Sequence, residues 1–145
     1  MDKLYNIRNL NKEDYESYLN IMFEFTNYKY NLSKENFDKY IDEINNHNNH
    51  KIIVIIYNKE LIGAGTIFKL VKLHNNPVSQ IEDVIILNKY RGKGLGKIII
   101  QKLIDIGLNE FKCYKIILNC LNKNIDFYKK CGFEKVGVEM KLNQI

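Results

Sequence analysis

The segment from Gln80 to Leu108 constrains this chain more than any other part of it. Gln80-Ile81-Glu82-Asp83-Val84-Ile85-Ile86-Leu87 predicts a central strand. Asn88-Lys89-Tyr90-Arg91-Gly92-Lys93-Gly94-Leu95-Gly96-Lys97 follows as a glycine-rich turn that opens a helix. Leu95, Ile98, Ile99, Leu103 and Ile106 carry that helix to about Leu108 at helical spacing. Glycines let a backbone turn tightly and approach a ligand. The N–H groups of a helix N-terminus favour an anion, and Arg91, Lys93 and Lys97 add positive charge there. A diphosphate suits such a loop, and a glycine-rich turn without a ligand is the alternative.

The rest of the chain supplies the other layers. Residues 3–9 read as a first strand. Asn11 caps a helix whose apolar positions are Tyr15, Tyr18, Leu19, Met22 and Phe23. Ser33 opens a second helix with Phe37, Tyr40, Ile41 and Ile44 on its stripe. Residues 51–57 and 61–70 form a hairpin around Asn58-Lys59-Glu60, and Gly63 and Gly65 predict a bulge or a close backbone approach. Residues 71–79 are a loop. Tyr114 to Cys120 is a strand, Asn124 to Lys130 a short helix stopped by Gly132, and 133–142 a last strand. The order β-α-α-β-β-β-α-β-α-β predicts an α/β fold: one mixed central sheet with helices on both faces. At 145 residues, with no linker and no repeat, residues 1–145 read as a single domain.

Composition excludes several classes. Apolar residues at 46% support a packed core. The longest apolar runs fall far short of the roughly 18 residues of a membrane helix, and the start has no apolar leader, so a cytoplasmic chain without membrane contact is expected. Cys113, Cys120 and Cys131 lack metal spacing, and His47, His50 and His74 are scattered, so no metal is expected. The net charge of +5 favours anionic partners. It comes from 20 Lys and only 2 Arg, and no nucleic-acid-binding motif accompanies it, so no nucleic acid is expected.

Two phosphate-loop patterns fail. Lys97 is followed by Ile98, which offers no hydroxyl for magnesium, and Gly92-x-Gly94-x-Gly96 is not the dinucleotide spacing. Arg91-x-x-Gly94-x-Gly96 after an apolar strand resembles instead the acetyl-CoA pyrophosphate loop of the GNAT superfamily of N-acetyltransferases. The resemblance extends to the glucosamine 6-phosphate N-acetyltransferases. It rests on Ile81-Glu82-Asp83-Val84, Tyr90 to Lys97, Cys113 to Leu118, Phe127 to Phe133 and Gly137-Val138-Glu139-Met140. These blocks span about residues 80–140, and residues 1–79 match in element order only.

The resemblance implies a role for each matching position. Acetyl-CoA, as acetyl donor, would rest its diphosphate on Arg91, Gly92, Lys93, Gly94, Leu95, Gly96 and Lys97. Its pantetheine arm would meet Val84, Ile85 and Ile86 through the backbone, with Asn124 beside it. Tyr128 would protonate the departing thiolate. Glu82 and Asp83 would line the amino-sugar pocket. On the residues alone, that acid pair reads equally as a salt-bridged or solvated strand end, Tyr128 as a core aromatic, and Asn124 as a helix cap. Tyr114, Lys115, Lys72, His74, Lys141 and Thr26 are candidates for the phosphorylated sugar. The resemblance also implies a homodimer, with the C-terminal strand against the partner.

Two positions depart from the family pattern. Asn119 stands where an acidic residue is expected near the reacting amine, and Asn accepts no proton at neutral pH. Base duty then falls on Glu82, Asp83 or water, or the amine arrives already neutral. The C-terminal stretch Lys141-Leu142-Asn143-Gln144-Ile145 holds no Arg for the sugar phosphate, which leaves Lys141 as a point charge. A GNAT enzyme for another amine and a non-catalytic acetyl-CoA-binding module are the competing expectations.

Overall fold

Asn11 ends the first strand and starts the first helix through one device. Its side chain accepts from the Glu13 N–H at 3.2 Å, and the Asp14 carboxylate accepts from the Asn11 N–H at 2.9 Å. This capping box sits at the head of α1 (Tyr15–Thr26) in a computed structural model that describes residues 4–144. Arg8, on β1 (Tyr5–Asn9), donates to both Asp14 oxygens at 2.7 and 2.9 Å. Burial opposes the charge on Asp14, but the Arg8 bonds and the Asn11 N–H outweigh it and hold the carboxyl below its ordinary range. Asp14→Ala removes the cap and leaves Arg8 unpaired, so it is expected to cost about 2 kcal/mol in urea unfolding at pH 7. This contribution is complete above the unfolded carboxyl pKa, about 3.9. It fades as pH falls through the lower folded value, so wild-type and variant stabilities converge in strong acid.

The remaining elements are α2 (Lys34–Asn46), β2 (His50–Tyr57), β3 (Glu60–Leu70), β4 (Val78–Ile86), α3 (Leu95–Asp105), β5 (Lys115–Leu118) and α4 (Ile125–Lys130). Ser33 caps α2 by accepting from the Asn36 N–H. Asn58 and Lys59 take positive φ of 48° and 66°, the backbone of a tight two-residue hairpin turn between β2 and β3. The five strands lie in sequence order; every pair is antiparallel except β4 and β5, which are parallel and joined by α3.

Helices cover both faces. Val54, Ala64 and Ile85 pack with Ile21, Phe37 and Ile41 under α1 and α2. Ile53, Ile55, Ile67, Ile81 and Ile86 pack with Leu95, Ile99, Ile100 and Leu103 of α3. This explains the unbroken apolar run in β2, whose alternate residues serve different cores. Gly65 lets α3 approach: a Cβ there would lie 2.8 Å from Leu103 Cδ1.

Three expectations need correction. Phe23 is 48% exposed, and the buried residue of α1 is Ile21. The helix expected to reach Leu108 ends at Asp105 and widens into a π turn over Ile106–Glu110, which buries Ile106 and Gly107. The strand expected over 133–142 does not form: after Gly132, at φ +97°, no strand or helix is present among the described residues. Val136, Val138, Met140 and Leu142 there are 81–97% exposed. The alternation that suggested a strand is real, but no neighbouring strand of its own chain pairs with it.

Candidate active site

The site begins where two strands part. β4 and β5 pair from Val78–Lys115 to Ile81–Leu118, and their ladder stops there. On its other edge β4 continues along β3, but with a shift: Thr66 faces Glu82, and Ala64 faces Ile85. One extra residue is therefore held in β4, and Asp83 absorbs it with φ +52°. A regular strand would send Glu82 and Asp83 to opposite faces. The bulge instead turns both toward the α1 side. Glu82 accepts a hydrogen bond from Gln80, and the charge of Asp83 reaches Tyr18 on α1. The glycines of β3 signalled a bulge or a close approach, and β3 carries both, with an extra residue against Ile55/Ile56 and Gly65 against α3; an aspartate at positive φ in β4 gave no such signal.

The electrostatics follow from this crowding. Burial, then the charges of Asp83 and Glu139, raise the Glu82 pKa, and burial alone raises that of Asp83. Tyr18 is pushed up to about 12, by burial first and then by Asp83, against a hydrogen bond with the buried Thr66. Tyr18 thus stays a neutral phenol that feels the charge of Asp83, whose own proton affinity is increased. Neither Tyr18 nor Gln80 stood out in the sequence. Gln80 was legible in principle, since residues two apart on a strand share a face.

β4 keeps an open edge past the split. The Leu87 N–H donates to the Ile62 carbonyl, so the alternation of the ladder turns Leu87 and Ile85 toward β3 and Ile86 away from it. Arg91 Nε donates to the Ile86 carbonyl at 3.0 Å on that free edge. Of Val84, Ile85 and Ile86, then, Ile85 has its backbone groups committed to the sheet, and Val84 and Ile86 face the gap.

The loop beyond β4 divides its glycines by task. Gly92 and Gly94 take φ of +76° and +80° with open space around them, and Gly94 caps α3 without any side-chain bond to the first turn. Those first N–H groups are free for an anion. Gly96 serves packing instead: a Cβ there would lie 3.1 Å from Phe127 Cζ on α4. Lys93 lies 5.4 Å from the Tyr90 ring centre. Burial raises the pKa of Cys131, and the nearby charge of Lys97 opposes that rise.

Where β5 ends past the split, a cavity of about 380 Å³ is lined by Leu118, Asn119, Cys120, Tyr128, Phe133 and the 134–139 segment, and by no residue of β4 or of the 91–97 loop. Tyr128 rests edge-on against Phe127 and Phe133, at 5.0 and 6.1 Å between ring centres. Its phenol pKa is raised by burial first and then by Cys120 and Cys131, which keeps the proton on. The ring packs on the α3-side core, and the residue also lines the cavity. Asn124 stands at the N-cap of α4 without a side-chain cap bond, so its amide is not spent on the helix.

Other candidates lie elsewhere. Thr26 closes its own helix, donating to the Met22 carbonyl at 2.8 Å and accepting from the Tyr28 N–H at 3.1 Å. Lys115 lies 5.5 Å from the Tyr114 ring centre, and the Tyr114 N–H donates to the Pro77 carbonyl, at the end of the exposed loop carrying Lys72 and His74. These four gather at the start of β4 and β5; Lys115 pairs with Val78, three register steps before the split. Lys141 is exposed on the C-terminal segment.

Residues 4–133 match the model of the acetyltransferase (GNAT) family. The chain belongs to the GNAT family. It is 34% identical to glucosamine 6-phosphate N-acetyltransferase 1 of Dictyostelium discoideum over 93% of this chain and 88% of that one. It is 32% identical to the glucosamine 6-phosphate N-acetyltransferase of Candida albicans over 94% and 93%. The crystal structure of the Arabidopsis thaliana glucosamine-6-phosphate N-acetyltransferase superposes with a TM-score of 0.89 at 29% identity, covering 96% of this chain and 97% of that one. The α/β fold expected from the element order is therefore the GNAT fold, and acetyl-CoA is the acetyl donor of this family. The free α3 N-terminus, the basic side chains around it and the unpaired edge of β4 are chemically suited to a diphosphate and an amide-bearing arm.

Proposed function

We propose that this GNAT enzyme transfers the acetyl group of acetyl-CoA to the amine of glucosamine 6-phosphate, giving N-acetylglucosamine 6-phosphate. That product feeds UDP-N-acetylglucosamine synthesis. The observation that carries the reading is the bulge at Asp83, which gathers two carboxylates on the α1 side of β4 beside the strand split. A polyhydroxylated, cationic acceptor suits such a face. The similarity to three glucosamine 6-phosphate N-acetyltransferases supports the same acceptor.

The diphosphate rests on the N–H groups of residues 92–97, near Arg91, Lys93 and Lys97. The arm lies along the free edge of β4 at Val84 and Ile86, and Asn124 offers its amide. The acceptor ammonium gives a proton to a carboxylate, Glu82 or Asp83, both of increased proton affinity. The neutral amine attacks the thioester carbon. A carbon–nitrogen bond forms, the carbon–sulfur bond breaks, Tyr128 delivers its proton to the thiolate, and the proton that the nitrogen sheds on becoming an amide passes through solvent to restore the phenol. Much of the acceleration comes from holding the two substrates together. Asn119, on the cavity wall, can hydrogen-bond the acceptor but takes no proton. Lys72, His74, Tyr114, Lys115 and Lys141 supply the charge and hydrogen bonds available to the sugar phosphate. Thr26 spends its hydroxyl on the end of α1 and shapes the face only through that turn.

The catalytic unit is one domain over residues 1–145, and it acts in the cytoplasm, where Cys113, Cys120 and Cys131 stay free thiols. It is a homodimer. Val136, Val138, Met140 and Leu142 alternate along an exposed segment, and a second copy would cover them. Sedimentation at micromolar concentration is expected to give twice the chain mass, and a chain ending at Lys135 is expected to sediment as a monomer.

Release of CoA, followed with a thiol reagent while both substrates are varied, tests the transfer. Direct attack requires double-reciprocal lines that converge. Parallel lines would mean an acetylated enzyme intermediate and contradict the mechanism.

A further inference from the structure

Gln80 and Glu82 stand two residues apart on β4, and the Gln80 Nε2 amide donates to Glu82 Oε1 at 2.8 Å. The charged groups around Glu82 are otherwise of its own sign: Asp83 on the same strand and Glu139 from the C-terminal segment. From α1, across the face, comes the neutral Tyr18 phenol, which feels the charge of Asp83 and is hydrogen-bonded with Thr66. Gln80 is thus the one hydrogen-bond donor to Glu82 among the described residues. Among the described residues Asp83 has no such donor. Two adjacent, solvent-exposed carboxylates on one strand are hereby made unequal.

Resting on the reading above that this face takes the amino sugar, we propose that Gln80 is a positioning residue for acceptor recognition. It fixes the Glu82 carboxylate as the hydrogen-bond acceptor for the sugar and leaves Asp83 as the carboxylate free to take the ammonium proton. A donor bonded to a carboxylate stabilises its charged form and limits its rotation. Without that donor, Glu82 meets only like charge, binds a proton more readily and loses its fixed orientation. The two acids then compete for one role.

The experiment pairs kinetics with a titration that needs no turnover. Gln80→Leu keeps the side-chain bulk and removes the donor. Its KM for glucosamine 6-phosphate is expected to rise about tenfold, the value of one hydrogen bond to a charged group, with the KM for acetyl-CoA unchanged. Gln80→His keeps an N–H donor and is expected to recover most of the loss. In the substrate-free protein, carbon-13 NMR of the side-chain carboxyls, with the Glu82 signal identified by its absence in Glu82→Gln, is expected to show Glu82 titrating at higher pH in Gln80→Leu than in wild type. Unchanged Glu82 titration in Gln80→Leu, or equal losses in Gln80→His and Gln80→Leu, would overturn the proposal. A wild-type enzyme inactive on the phosphorylated sugar would instead sink the function reading, and the NMR comparison would still decide whether Gln80 controls Glu82.

Discussion

Tyr128→Phe is expected to lower kcat by about 10²-fold, the usual worth of one positioned general acid. KM for both substrates should change little. The substitution keeps the ring against Phe127 and Phe133, so thermal stability should stay near wild type. The departing thiolate loses its proton donor. Because burial and the neighbouring Cys120 and Cys131 raise the phenol pKa, the group is protonated throughout the neutral range. The alkaline limb of kcat against pH, where Tyr128 ionises, should therefore lie above the ordinary tyrosine range in wild type and vanish in the variant. An acceptor that makes the reaction insensitive to thiolate basicity would shrink the effect. A kcat within twofold of wild type with glucosamine 6-phosphate would remove Tyr128 from the mechanism.

Gly94→Val is expected to act on the other substrate. Gly94 is held at φ +80° as the residue before α3, a conformation that a β-branched side chain adopts at a cost of roughly 1–3 kcal/mol. The added Cβ meets no neighbour within 4 Å, so the cost is conformational. The loop can relieve it only by turning its N–H groups away from the diphosphate. A tenfold or larger rise in KM for acetyl-CoA is expected, with acceptor KM unchanged. Isothermal calorimetry with CoA measures the same loss without turnover. Gly96→Val provides the contrast. Its side chain strikes Phe127, on the helix that carries Tyr128, so kcat should fall along with affinity.

The parts of the site that were legible in the sequence are those carried by strong local chemistry. Three glycines beside Arg91 at the end of an Ile-rich strand announce a tight loop and a helix start, and both are present. Asn11 and Ser33 announced their caps because a short polar side chain before an apolar period has little else to do. What stayed hidden is non-local. The bulge at Asp83 depends on how β4 registers against β3, and Asp carries none of glycine's signal for positive φ. It reversed the expectation that neighbouring acids face apart. Thr26 looked available from its position, yet the αL turn at Asn27 that ends α1 claims its hydroxyl. The 133–142 segment has a strand's alternation, but a strand exists only when another lies beside it.

The most direct measurement offers glucosamine 6-phosphate, glucosamine and a lysine peptide side by side with acetyl-CoA and follows CoA release. The account predicts turnover with the phosphorylated sugar and a kcat/KM at least tenfold lower for each of the other two. Saturable acetyl-CoA binding with no release for any acceptor, or release driven best by the peptide, would contradict it.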